Sequence, residues 1–136
     1  MSPLSAAIKG ILDTLAADAQ ITSLVPVSKF RYESAESSLK TPYITVNQLY
    51  GGDKNVSPRK EADLMVRVQV IETNQERARQ VKDRIYDVLV GANLEFPSPW
   101  GYTAPITHLN DVADSDIIQQ NKLFYYGHDI RVRMAE

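Results

Sequence analysis

Leu4, Ile8, Ile11, Leu12 and Leu15 recur at helical spacing, and that stripe predicts a helix at the start of the chain. Ser2 is placed to cap it, and Pro3 suits its first position, where a missing N–H leaves nothing unpaired. Gly10 weakens the interior by ~1 kcal/mol relative to alanine. A second short helical turn, Asp18–Leu24, precedes Pro26, and the small polar run 33–41 reads as a loop. The period then changes. Ile44 and Val46 alternate with Thr45 and Asn47 across Tyr43–Tyr50, which predicts a strand, and Leu64, Val66, Val68 and Val70 alternate with Arg67 and Gln69 in the same way. Between them, 51–61 is polar and rich in turn formers, so the two strands are expected to form a hairpin with an extended polar loop.

The best-defined helix is expected from about Gln75 to Val90, with Ala78, Val81, Ile85, Val88 and Leu89 as its apolar stripe. Thr73 and Glu76 have capping-box spacing, and Gly91 is placed to end the helix in the left-handed conformation. Two prolines exclude Phe96–Gly101 from regular structure. A short strand is expected around Thr107–Val112 and another around Ile117. The strongest strand closes the chain at Leu123–Met134. Phe124, Tyr126, His128, Ile130, Val132 and Met134 share one face, and Tyr125, Asp129, Arg131 and Arg133 the other. The predicted fold class is α+β: a mainly antiparallel sheet with two principal helices packed on one face and a long β-hairpin loop.

Composition narrows the function without naming it. At 136 residues the chain fits a single domain, 1–136, that can bury a sufficient core without staples. A net charge of -2 gives no reason to expect autonomous affinity for nucleic acid or membrane. The absence of cysteine removes disulfides, thiolate metal sites and cysteine nucleophiles together. The first residues lack the charged and apolar regions of a signal peptide, and no apolar run approaches the ~20 residues that span a bilayer, so a soluble protein is expected.

Candidate chemistry is sparse. His108 and His128 are not at ligand spacing, and His128 falls on the apolar face of the last strand, as a hydrogen-bonded core or interface histidine would. His108 borders Asp111, Asp114 and Asp116, a run without calcium-loop spacing that reads as a solvated loop. No nucleophile elbow or S-x-x-K motif occurs, and Gly51-Gly52 followed by Asp53-Lys54 lacks the spacing of a phosphate loop. The expectation is no catalytic residue, no cofactor and no metal. Two candidate binding surfaces remain. Gly51, Gly52, Asp53, Lys54, Asn55, Arg59 and Lys60 form either a docking loop with a basic tip or a solvated hairpin. Arg67, Arg131 and Arg133 form either a basic stripe on the polar sheet face or an ordinary charged surface. Seven tyrosines fit interfaces and the rim of a core equally well.

Several phrases in order resemble the tail-completion family of long-tailed bacteriophages, the tail terminator or head–tail joining proteins. They are 15–25 (LAADAQITSLV) after the opening helix, 41–46 (TPYITV) before a glycine-started loop, and 65–71 (MVRVQVI) leading into the helix from Ala78 to Val90. The last is 129–132 (DIRV), at the end of the final strand. The resemblance implies a structural protein without catalytic residues. It implies a ring, commonly a hexamer, that caps the tail tube, ends tail growth and joins the tail to the head. Implied partners are further copies of the chain, the tail tube protein and the head-completion or connector protein. Genomic DNA would pass through the lumen without sequence-specific binding, and no membrane is involved. The loop at 51–61 would extend toward the tube. The implied location is the head-proximal end of the tail in the virion, after assembly in the host cytoplasm. Alternatives are a head-completion adaptor, a minor tail protein, or a small ligand-binding or enzymatic domain. The last would show His108 buried beside two of Asp111, Asp114 and Asp116.

Overall fold

The structure is a computed structural model that describes residues 2–32, 40–56 and 59–136, so most of the loop expected at 33–41 lies outside the described residues. The described elements run α1 (Pro3–Ala16), α2 (Ala19–Leu24), a 3-10 turn (Val27–Lys29), β1 (Phe30–Tyr32), β2 (Tyr43–Val56), β3 (Arg59–Glu72), α3 (Gln75–Leu89), β4 (Tyr102–Thr103), β5 (Thr107–Ile118) and β6 (Asn121–Ala135).

Helix α1 forms as its stripe requires. The Ser2 hydroxyl accepts from the Ser5 N–H, Ile8, Ile11 and Leu15 are buried, and Leu4 and Leu12 pack partly buried against the core. Gly10 has a packing reason: a Cβ there would lie 2.3 Å from the Phe96 ring, so its absence lets that ring seat against the helix. At α3 the capping residue is Asn74, whose side chain accepts from the Arg77 N–H at 3.0 Å, and not Thr73. The Thr73 hydroxyl is drawn instead to Glu72 Oε1 at 3.3 Å, and the same carboxylate oxygen accepts the N–H groups of Thr73 and Asn74. Gly91 follows the helix with φ of +81°.

The six strands form a sheet in the order β1-β2-β3-β6, with β4 and β5 both paired to the far edge of β6. β1 joins β2 in parallel and the remaining pairs are antiparallel. Register decides which residues share a face. Ile44 and Val46 on β2 stand opposite Val70 and Val68 on β3, and Val66 and Leu64 stand opposite Ile130 and Val132 on β6. All are buried in one cluster with Ile11 and Leu15 of α1 and Val81, Ile85 and Leu89 of α3, so the helices cover this face. The fold is α+β, as the order of periods predicts. Among the described residues, no helix is long and apolar enough to cross a membrane.

Two sequence expectations are corrected. Most of 51–61 is paired strand rather than loop: the β2–β3 ladder continues through Lys54↔Glu61 and Asn55↔Lys60 to Val56↔Arg59. Beyond the core a hairpin arm needs backbone pairing and not apolar alternation, so its glycine, asparagine and lysine content reads misleadingly as turn. For the same reason β5 is one strand of 12 residues instead of two short pieces; it is exposed along most of its length.

Candidate functional site

The sheet face turned away from the helices carries the charged residues of β3 and β6. Arg67 stands opposite Asp129, Met65 opposite Arg131, and Asp63 opposite Arg133. Arg67 donates from Nε to Asp129 Oδ1 at 2.8 Å and from Nη2 to Oδ2 at 3.2 Å. Arg131 grips Asp63 with the same fork, Nε to Oδ1 at 2.8 Å and Nη2 to Oδ2. These paired bonds use the planar match between guanidinium and carboxylate, and they hold both arginines more firmly protonated than usual. Arg67, Arg131 and Arg133 therefore do share a face, but the stripe is not simply basic. Two of the three charges are matched by a carboxylate from the neighbouring strand, which makes the surface an alternating ladder.

The proposed docking residues lie along the β2–β3 ribbon. Gly51, Gly52, Asp53, Lys54 and Asn55 face Leu64, Asp63, Ala62, Glu61 and Lys60, and Arg59 pairs with Val56. A bulge at Leu49 precedes them, where Gln48 pairs with Val66 and Tyr50 with Met65. Gly51 follows it with φ of +117°, and a Cβ there would lie 2.3 Å from the Asp63 carbonyl oxygen, so this position admits only glycine without strain. Leu49 and Tyr50 beside it are exposed, Tyr50 by 63%. The tyrosines divide: Tyr32, Tyr50 and Tyr86 are exposed, while Tyr126 is buried.

One constellation is invisible in sequence spacing. A second bulge, at Leu109, lies between the pairs His108↔Ile130 and Asn110↔Asp129. In a regular strand, residues three apart point to opposite faces; the extra residue restores His108 and Asp111 to the same face. That face also carries His128, which pairs with Asp111. His108 Nε2 lies 3.0 Å from His128 Nδ1, and Asp111 Oδ1 lies 3.2 Å from each of these nitrogens. His128 Nε2 sits 2.9 Å from the Lys82 backbone oxygen on α3, and the Tyr86 ring meets both imidazoles edge-on. His128 is buried, and desolvation pushes its pKa below the ordinary histidine value. The two histidines, which are not at ligand spacing in the sequence, are in contact. The alternative of a site with His108 buried beside two of the aspartates is not what forms: among the described residues Asp111 alone of the three meets it, through an exposed side chain. Two concavities lie elsewhere. One of ≈ 370 Å³ is lined by Asp63, Thr103, Arg131 and Met134, and another of ≈ 490 Å³ by Gln20, Leu24, Arg84 and Asp87.

Residues 9–124 match the family described as Tail completion protein gp17. A comparison with curated proteins finds no match. Among solved structures, a chain from the virion of a native gene transfer agent particle superposes with a TM-score of 0.77 at 18% identity, covering 98% of this chain and 97% of that one. At that identity the superposition shows a shared fold, while the family match reaches from α1 into β6. The chain belongs to the tail completion protein gp17 family and is a phage tail structural protein.

Proposed function

We propose that residues 1–136 act as one unit that assembles into a ring on the end of the tail tube, stops tail growth and joins the tail to the head. The observation that carries this reading is the family match across 9–124. Two features of the surface support it. Among the described residues β5 has only β6 as a partner strand, and β2 beyond Val46 has only β3, so the sheet offers two long open edges on opposite sides. A closed ring joins one surface to a different surface of the next copy, and edges of this kind are suited to that. Lys54, Arg59 and Lys60 near the end of the ribbon are proposed to dock on the tail tube protein, and the opposite end of the ring on the head connector. DNA passes through the lumen without being read.

Assembly in a host infected by phage lacking this protein tests the reading. Electron microscopy is expected to show tails of uncontrolled length and heads without tails, and adding the purified chain restores both. Tails of normal length attached to heads in its absence would sink it.

A further inference from the structure

We propose that His108, Asp111 and His128 form a binding site for a divalent transition ion of the Zn2+ class, which ties the edge strand β5 to β6 beneath α3. The inference goes beyond the structural role above and does not depend on it. It also reverses the sequence-based expectation of no metal, for reasons of geometry.

The three candidate ligand atoms form a nearly equilateral triangle with edges of 3.0, 3.2 and 3.2 Å. Nitrogen and oxygen ligands ~2.0–2.1 Å from zinc at tetrahedral angles stand about 3.3 Å apart, so the triangle is close to one face of that polyhedron. An ion ~2.0–2.1 Å from all three atoms sits about 1 Å off their plane. Described His, Asp and Glu side chains gather three ligand atoms this closely at no other place.

The hydrogen-bond inventory points the same way. His128 Nε2 lies within donor distance of the Lys82 carbonyl, which accepts only, so the ring proton belongs on Nε2 and Nδ1 presents a lone pair. His128 Nδ1 lies 3.0 Å from His108 Nε2 and 3.2 Å from Asp111 Oδ1. His108 Nε2 has one proton for His128 Nδ1, which leaves Asp111 Oδ1 without a proton from either ring and open to solvent. Lys82 Nζ stands 3.9 Å from the same carboxylate oxygen, too far for a hydrogen bond, so its ammonium does not close the triangle. A cation among the three atoms would draw on all three as acceptors, with the His108 proton carried on Nδ1. A backbone carbonyl that takes the distal N–H of a histidine is also the outer partner that fixes the tautomer and orientation of metal-binding imidazoles.

Two imidazoles and one carboxylate select zinc and its transition-metal neighbours over Mg2+ and Ca2+, which take all-oxygen shells. Asp111 is 66% exposed, which leaves the outward coordination position to water.

Isothermal titration of the metal-free full chain with Zn2+ and then Mg2+ tests the site. One Zn2+ per chain is expected, with no saturable Mg2+ uptake and a thermal midpoint that rises with Zn2+ concentration. His108→Gln and Asp111→Asn are each expected to weaken Zn2+ binding at least ~10-fold, since loss of an outer partner alone costs ~10–100-fold. Both side chains reach solvent, so the metal-free variants should melt as the parent does. If a variant does not fold, 15N spectra of the parent histidines decide: Zn2+ must shift His128 Nδ1 and His108 Nε2 while His128 Nε2 keeps its proton. Absence of saturable Zn2+ binding, unchanged affinity in both variants, or shifts at other ring nitrogens would overturn the proposal.

Discussion

The two faces of the sheet are built from the same strands, one residue out of step, and are held by different physics. Toward the helices, Ile44, Val46, Leu64, Val66, Val68, Val70, Ile130 and Val132 are all but sealed from water. On the other side Asp63, Arg67, Asp129 and Arg131 form the ion-paired ladder. It is not uniformly charged, for Tyr43, Ile71 and Tyr125 align across three strands at one end. Burial of apolar area is non-directional, so the covered face supplies most of the stability but discriminates poorly between registers two residues apart, which keep the same set inward. Forked guanidinium–carboxylate bonds form only when Arg67 meets Asp129 and Arg131 meets Asp63. A slip of β6 by one residue would turn the apolar set outward, but a slip by two would keep that set inward and break both forks. The outer face thus contributes specificity of pairing, and the inner face cohesion.

Adjacent positions on β6 give the largest and most direct contrast. Ile130→Ala removes a side chain that is 1% exposed and is expected to cost about 2–5 kcal/mol in chemical denaturation. Asp129→Ala, one residue away on the other face, removes a carboxylate whose side chain is 7% exposed. It is expected to cost about 1–3 kcal/mol, because Arg67 can swing its guanidinium into water. A double-mutant cycle on Arg67 and Asp129 should return a coupling of ~0.5–3 kcal/mol. Coupling near zero, or an Asp129 variant as damaged as the Ile130 variant, would break the division of labour between the faces.

The same contrast explains what was legible in the sequence. Elements that bury a face announce themselves: the stripe of α1, the stripe of α3 and the alternation of 64–70 and 124–134 all predicted buried sets that the fold contains. Elements stabilised by backbone pairing in the open did not. The ends of β2 and β3 looked like loop, and the three-residue β1 gave no period at all. The histidine cluster was hidden twice. Seeing it requires β5 as a continuous strand, so that the turn at Gln119–Gln120 sets Asp111 opposite His128. It also requires the extra residue at Leu109, which no pattern of apolar positions reports. The arginine stripe is half legible, since alternation puts Arg67 on the polar face of one strand and Arg131 and Arg133 on that of another, and the register makes these one face. Asp129 was placed on the same face too, but the fork it makes with Arg67 needs the cross-strand register.

One charged fork interrupts the helical layer and gives a smaller, pH-dependent effect. Arg84 on α3 donates to Asp18, before α2, through Nε at 2.8 Å and Nη2 at 3.1 Å. The arginine hydrogen bonds hold the Asp18 carboxyl below its ordinary pKa. A folded-state pKa lower than the unfolded one adds stability above the unfolded value of ~3.9 and loses it as pH falls toward the folded value. The difference in thermal midpoint between the parent and Asp18→Asn should therefore stay constant from neutral pH to about pH 5 and shrink below about pH 4. A difference that persists undiminished at lower pH would mean that the charge of Asp18 does not hold α2 against α3.

The smallest stability effect is expected at the end of the ribbon. The pairs Asn55↔Lys60 and Val56↔Arg59 lie beyond Glu61, the last β3 residue in register with β6; past it the Lys60 carbonyl still accepts a backbone bond, from the Glu136 N–H at 3.0 Å, and the nearest core residues of β3 are Ala62 and Leu64. Replacing residues 55–60 with an Asn-Gly turn closes the hairpin on the Lys54↔Glu61 pair, with the loop length and turn chemistry that antiparallel strands favour. Changes remote from the core stay within about 0.5 kcal/mol, so chemical denaturation should barely register this one. Binding to purified tail tubes, measured by co-sedimentation, should instead be lost if the ribbon docks there. A stable variant that still binds tubes would remove the ribbon from the docking surface and leave the sheet edges to carry it. A variant that loses several kcal/mol would instead show that the ribbon belongs to the cohesive part of the molecule, which its position past the end of β6 argues against.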